Sequence, residues 1–176
     1  MKNLLIILAA GALTVMACKS VEQYRAPIEA LTAEWSKTGE MVMNTTSQLE
    51  NANTFLGGMV DSFKIDSTKK WSSNALAGMN EARTAFMAQV QGLSGLVTEV
   101  NDFKSKWQTM TADVDALSTG LKNGKLEGDV MAKINDLKAN SATAISQCES
   151  WNKNIMGAQA TAVKAWDMFK QALTAK

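Results

Sequence analysis

Apolar or small residues recur at alternating steps of three and four along most of this chain, and this spacing constrains the fold more than any other feature of the sequence. It is the heptad pattern of a helix that buries one narrow stripe. Pro27 suits the first turn of such a helix, because the N–H that proline lacks has no partner there. The first predicted stripe comprises Ile28, Leu31, Trp35, Thr38, Val42, Thr45, Leu49, Ala52, Leu56, Met59 and Phe63.

The same spacing returns twice farther along the chain. A second helix is predicted from about Thr68 to Leu121, with Arg83 interrupting its stripe at one heptad position. The second stripe comprises Leu76, Met79, Phe86, Val90, Leu93, Val97, Val100, Phe103, Trp107, Met110, Val114, Leu117 and Leu121. The third runs to within a few residues of Lys176 and comprises Val130, Ile134, Leu137, Ser141, Ala144, Cys148, Trp151, Ile155, Ala158, Ala162, Ala165, Phe169 and Ala172.

Two breaks separate these helices. Residues 64–67 form the first, with Asp66 and Ser67 as candidate N-caps for the second helix. Residues 120–129 form a glycine-rich loop, and Asp129 is the candidate N-cap of the third helix. Gly92 and Gly95 weaken the second helix, so a further break near residues 92–96 would make four helices instead of three.

Three stripes joined by short connections predict an all-α fold, an elongated antiparallel up-down-up three-helix bundle with coiled-coil-like packing. Helices of this length predict a rod on the order of 60–75 Å. Self-association of single stripes as a coiled coil is the alternative. Residues 27–176 are expected to form a single helical bundle domain, since this length suffices for one core.

The N-terminus has the features of an export signal. Lys2 precedes an apolar run over residues 4–17, which suits a signal peptide, whereas about 20 apolar residues are needed to span a bilayer. Residues 15–18, Val-Met-Ala-Cys, resemble the lipobox of bacterial lipoproteins, although Met16 departs from the small or β-branched residue usual there. An ordinary secretory signal that happens to precede a cysteine is the alternative.

The lipoprotein resemblance implies that residues 1–17 are removed as the signal peptide and that Cys18 carries two or three acyl chains, the number that anchors a protein stably. Residues 18–26 would then be the lipidated cysteine and a tether. Lys19, in place of an aspartate that would favour inner-membrane retention, indicates a lipid anchor in the outer membrane, facing the periplasm or the cell surface. The bundle places Cys18 and the loop after residue 121 at one end.

Four basic residues are expected near that membrane-proximal end, where they would meet anionic headgroups or phosphates: Lys19, Arg25, Lys122 and Lys125. Simple solvation of loops is the alternative interpretation. The whole chain has 18 basic and 17 acidic residues, and removal of Lys2 with the signal peptide would make the two numbers equal. This balance argues against a nucleic-acid partner.

Several chemistries lack their usual residues. The sequence has no histidine, which removes the commonest general base and imidazole metal ligands, so we expect no enzyme activity, metal or cofactor. Cys148 lies on the third stripe and is predicted to be buried, with an intermolecular disulfide as the alternative. Trp35, Trp107 and Trp151 are expected at similar heights, as core residues rather than a ligand box.

These features predict a non-enzymatic, lipid-anchored helical scaffold or protein-binding component of the bacterial cell envelope, with an envelope protein as partner. One alternative is a periplasmic carrier or chaperone that binds apolar ligands or unfolded clients, for which the methionines and the weak point at Gly92 and Gly95 would be relevant. A membrane-active helical toxin component or an immunity lipoprotein is the other alternative.

Overall fold

The computed structural model describes residues 21–175, which are helical throughout apart from their connections and contain no strand. The elements are α1 (Arg25–Met59), a short 3₁₀ helix (Val60–Phe63), α2 (Ser73–Lys122) and α3 (Val130–Thr174). The predicted all-α class and the three helices are confirmed. The signal peptide, Cys18 and Lys19 lie outside the described residues.

Contacts divide the chain into two compact units, each built from one segment of every long helix. The first unit comprises the chain up to Glu40 together with Ser105–Ile145, and the second comprises Met41–Lys104 and the chain from Ser146 onward. The prediction of one domain over residues 27–176 stays a prediction.

Helix α1 runs antiparallel to α2 in the first unit. The Thr32 hydroxyl lies 3.2 Å from that of Ser118, and the Trp35 indole N–H donates to the Thr111 hydroxyl at 3.0 Å. In the second unit α2 runs antiparallel to α3, since Gly78 faces Ala172 near one end of the pair and Glu99 meets Trp151 near the other. The predicted up-down-up order is therefore confirmed.

Burial follows the predicted stripes closely in α1 and α3. All of the stripe residues predicted for the third helix are buried. The stripe of the first helix is also buried, except for the half-buried Met59. Phe63 ends that stripe in the 3₁₀ helix, where its ring stacks on Phe86 with centroids 4.1 Å apart and also contacts Phe169 at 5.0 Å.

The predicted stripe of α2 is wrong at its beginning. Leu76 is exposed while Ala75 is buried, and Ala82 takes the buried position next to Arg83. The physical reason is close packing, because a Cβ at Gly78 would lie only 3.2 Å from the Cβ of Ala172. Small side chains fit this narrow space, and a leucine would overfill it.

The first connection is longer than predicted, and α2 begins at Ser73 rather than near Thr68. Asp66 does not cap α2. Its carboxylate accepts from the Thr68 N–H at 2.9 Å and from the Thr68 hydroxyl, which closes a local turn and lowers the pKa of Asp66. The N-cap is Ser72, whose hydroxyl oxygen accepts from the Ala75 N–H at 3.2 Å.

Helix α2 continues through Gly92 and Gly95, so the four-helix alternative is wrong. Each glycine costs roughly 1 kcal/mol relative to alanine in a helix interior. Burial of Leu93 and Leu96 between them and beside them offsets that cost.

The first helix also begins earlier than predicted. Arg25 and Ala26, predicted to lie in the tether, belong to α1. Pro27 still lies in the first turn, where its missing N–H costs no hydrogen bond.

Two leucines of α2 test this assignment of core and surface. Leu93 is 2% exposed and Leu76 is 37% exposed. We expect Leu93→Ala to lower the free energy of unfolding by about 2–5 kcal/mol, through lost burial and a residual cavity. Leu76→Ala, the matched control, should lower it by less than about 1 kcal/mol. Urea denaturation followed by circular dichroism measures both, and equal losses would contradict the observed stripe.

Candidate functional site

The predicted basic residues that the structure describes lie at one end of the first unit. Arg25 opens α1, Lys122 closes α2, and Lys125 lies in the loop that follows. Arg25 donates to Glu22 at 2.9 Å and forms an ion pair with Glu29 at 3.6 Å. Its positive charge is therefore already met by carboxylates, and Lys122 and Lys125 are the better candidates for an external contact.

Three glycines shape the loop between α2 and α3. The Lys125 N–H donates to the Gly120 carbonyl at 2.8 Å, and a Cβ at Gly120 would lie 2.5 Å from the Lys125 carbonyl oxygen. Gly124 and Gly128 have φ angles of 67° and 72°, a left-handed conformation that glycine adopts without steric cost. The loop therefore folds tightly back onto the end of α2.

The second end of the loop is held by α3. The Asp129 carboxylate accepts from the Ala132 N–H at 3.0 Å, which confirms the predicted N-cap. Lys133 reaches back and donates to the Glu127 carbonyl at 3.2 Å. These two contacts give residues 125–127 a fixed position beside the two helices.

A cleft of about 420 Å³ lies under this loop, between α2 and α3 of the first unit. Its apolar lining comes from both helices and the loop, and comprises Met110, Ala116, Leu117, Leu126 and Leu137. Its polar lining comprises Asp113, Lys125, Glu127, Lys133, Asp136 and Asn140. The volume is that of a small-molecule site.

The charged side chains of the cleft do not neutralise one another. Every ion pair within residues 21–175 is local, between residues three or four apart, and none involves a charged side chain of the cleft. We call this site between α2 and α3, lined by the residues named above, the hairpin cleft. The sequence pattern does not indicate that Asp113 and Glu127 line one cleft, because the cleft forms only when both helices and the loop meet.

The tryptophans serve the core in each unit. Trp35 stacks on Trp107 in the first unit, with centroids 3.9 Å apart and planes 6° from parallel. Trp151, in the second unit, contacts Phe103 edge-on at 5.2 Å and donates its indole N–H to Glu99 at 3.0 Å. They are packed and hydrogen-bonded as core residues, as predicted, and form no ligand box.

A second feature is a belt without charged residues in the second unit. No Asp, Glu, Lys or Arg occurs in three stretches: residues 51–60, which are the end of α1 and the first residue of the 3₁₀ helix, residues 84–98 of α2 and residues 154–163 of α3. The rings of Phe63 and Trp166 are in contact, with centroids 5.3 Å apart. The first uncharged stretch ends three residues before Phe63 and the third ends three residues before Trp166, so these two stretches lie side by side at the same height along the helices. Phe63 also stacks on Phe86, at the start of the α2 stretch.

Large apolar side chains project from this uncharged belt. Phe55 is 50% exposed, Met156 is 66% exposed and Val163 is 49% exposed. Five helical glycines accompany them, with open space where a side chain would be: Gly57, Gly58, Gly92, Gly95 and Gly157.

No group of three or more candidate metal ligands comes together within the described residues. No helix in that part of the chain has the length and apolarity needed to cross a membrane. No family model, curated protein sequence or solved structure matches this chain.

Cys148 lies in the second unit with its side chain buried. Burial raises the pKa of the Cys148 thiol, because an apolar surrounding disfavours the thiolate. Since the thiolate is the reactive form, this cysteine is protected both by enclosure and by its charge state.

We expect Cys148 to react very slowly with a thiol reagent in the native protein and rapidly in concentrated urea. A Cys18→Ala background leaves Cys148 as the one thiol, and absorbance of the released thionitrobenzoate measures the rate. The native rate should rise with pH, because more thiolate forms as pH approaches the raised pKa. Fast labelling at neutral pH, or a dimer band on a non-reducing gel, would support the disulfide alternative instead.

Proposed function

We propose that this protein is a non-enzymatic, lipid-anchored helical scaffold or protein-binding component of the bacterial cell envelope. The lipobox-like sequence ending at Cys18 supports an anchor in the outer membrane, with the helices facing the periplasm or the cell surface. The observation that carries the binding role is the uncharged belt of the second unit, with Phe55, Met156 and Val163 exposed on it.

The belt has the chemistry of a protein-docking surface. Exposed apolar side chains gain free energy when a partner covers them, and interface centres are depleted in charge. A partner with an apolar or small-residue helical face fits best, since charged groups would lose solvation against this belt without gaining a counter-ion.

The glycines support the same interpretation. Alanine at Gly92 or Gly95 would meet no neighbouring atom and would stabilise the helix by up to about 1 kcal/mol. Because glycine has no side chain beyond a hydrogen atom, the backbone of a partner can approach α2 closely at these positions.

The hairpin cleft favours a second function, a carrier of small amphipathic ligands. Its apolar lining and its volume of about 420 Å³ suit a small molecule rather than an unfolded client.

The anchor is tested by Cys18→Ala. We expect the variant to leave the membrane fraction for the soluble fraction, because two acyl chains supply the stable attachment and a thioether to lipid requires this sulfur. Cys148→Ala is the matched control and should stay in the membrane fraction. Ultracentrifugation with immunoblotting measures the partition, and membrane association of Cys18→Ala equal to that of the wild type would contradict the lipid anchor.

The docking surface is tested by photo-crosslinking in the native cell. A photoreactive amino acid at position 55 or 156 should give a discrete crosslinked species containing an envelope protein. Position 131 is the control, because Met131 is 42% exposed on α3 but lies in the first unit, outside the belt.

Two further variants separate binding from stability. Phe55→Glu should lower the crosslinking yield at position 156 severalfold while stability changes little, since its ring is half exposed. The Gly92→Ala, Gly95→Ala double variant should raise stability and still lower the yield. Equal yields at positions 131 and 156 would contradict a partner on the belt, and a crosslink to a second copy would make this chain its own partner.

A further inference from the structure

We propose that the hairpin cleft binds an amphiphile with a zwitterionic head, its anionic group at the loop end, its cationic group about one helical turn farther along, and its apolar body on the leucines between α2 and α3. This inference rests on the second function proposed for the cleft, for which it names the ligand class, and it does not depend on the scaffold role or on the anchor at Cys18. Three observations carry it.

The first is the apolar floor. Leu117 and Leu137 face the cleft from the two helices and are almost entirely buried apart from that side. Met110 and Leu126 are half-buried and extend the floor along α2 and over the loop. An alkyl chain laid here would remove apolar surface of both partners from water, which is the main source of affinity for such a group.

The second is the distribution of charge along the cleft. Both cations of the cleft lie toward the loop, with Lys125 within it and Lys133 in the first turn of α3. They outnumber Glu127, the carboxylate of the lining at that end, so the loop end keeps a net positive charge. Asp136 lies three residues beyond Lys133, about 4.5 Å farther along the helix axis. Asp113, well before the end of α2, adds a second carboxylate at the far side of the cleft.

This distribution selects the ligand's head. Because the lysines are not ion-paired with the aspartates, both sets remain available to a ligand. A phosphate near the lysines would gain charge-assisted hydrogen bonds, and a quaternary ammonium near the aspartates, which has no N–H to donate, would gain Coulomb attraction. A singly charged head would satisfy one set and lie close to the like charges of the other.

The third is the rigidity of the site. Gly120, Gly124 and Gly128 permit the tight conformation of the loop. Two hydrogen bonds hold it, from the Lys125 N–H to the Gly120 carbonyl and from the Lys133 side chain to the Glu127 carbonyl. A preformed site loses less conformational entropy on binding than one that must order a loop. The cleft is therefore built before the ligand arrives.

The test compares five probes on the purified full chain: hexylphosphocholine, hexyl phosphate, hexylammonium, 1-hexanol and phosphocholine without an alkyl chain. All are used below their micelle-forming concentrations. Methyl NMR shifts of Leu117 and Leu137 report occupancy of the cleft directly. We expect saturable shifts with hexylphosphocholine and binding at least about tenfold weaker for each of the others, since 1-hexanol lacks both charged contacts and each remaining probe lacks one favourable contact.

Single substitutions then assign the two ends of the head. Asp136→Asn should reduce hexylphosphocholine binding toward that of hexyl phosphate, with Asp113 keeping part of the attraction for the cation. Lys125→Gln should reduce it toward that of hexylammonium, and this substitution leaves the Lys133 hydrogen bond to the loop intact. Asp115→Asn on α2 and Lys164→Gln on α3 are matched controls, both exposed and outside the cleft, and should bind like the wild type.

Thermal unfolding of each variant shows whether the fold persists, and these surface substitutions are expected to leave it unchanged. Binding of hexanol as tight as that of hexylphosphocholine would reduce the cleft to an apolar patch and overturn the proposal. So would tighter binding of either singly charged probe, or no saturable shift at the two leucines. Phosphocholine binding equal to that of the alkylated probe would overturn the apolar part and leave a headgroup site.

Discussion

The structure depends on the mutual burial of three narrow apolar stripes. A single helix with one such stripe leaves it in water, and helix propensity alone contributes little to its stability. Each stripe here is covered by the other two, and aromatic contacts hold the helices in register within each unit. Trp35 on Trp107 does so in the first unit, and Phe63 against Phe86 and Phe169 does so in the second.

That register also decides what the remaining surface can do. The hairpin cleft exists because α2, α3 and the loop meet there. Leu117 of α2 and Leu137 of α3 line it together with the neighbouring charged residues. The uncharged belt exists because three stretches without charge, far apart in sequence, come to the same level of the second unit. Both surfaces are consequences of packing that no single helix contains.

Glycine has three distinct physical roles in this chain. At Gly120 it permits close approach of the loop backbone, and at Gly124 and Gly128 it permits a left-handed conformation. At Gly78 it permits close approach of two helices. At Gly92 and Gly95 an added Cβ would meet nothing within the protein, so no close approach there requires glycine.

The heptad spacing by itself determined the all-α fold, the three helices, the stripe of α3, most of the stripe of α1 and the cap at Asp129, because these depend on local periodicity and on residues a few positions apart. Only the tertiary structure decided that Ala75 and Ala82 rather than Leu76 face the core, that α2 continues through Gly92 and Gly95, and that Asp113, Lys133 and Asp136 line one cleft. These outcomes depend on the distance between helices and on the register between them, and the residue spacing within a single helix determines neither.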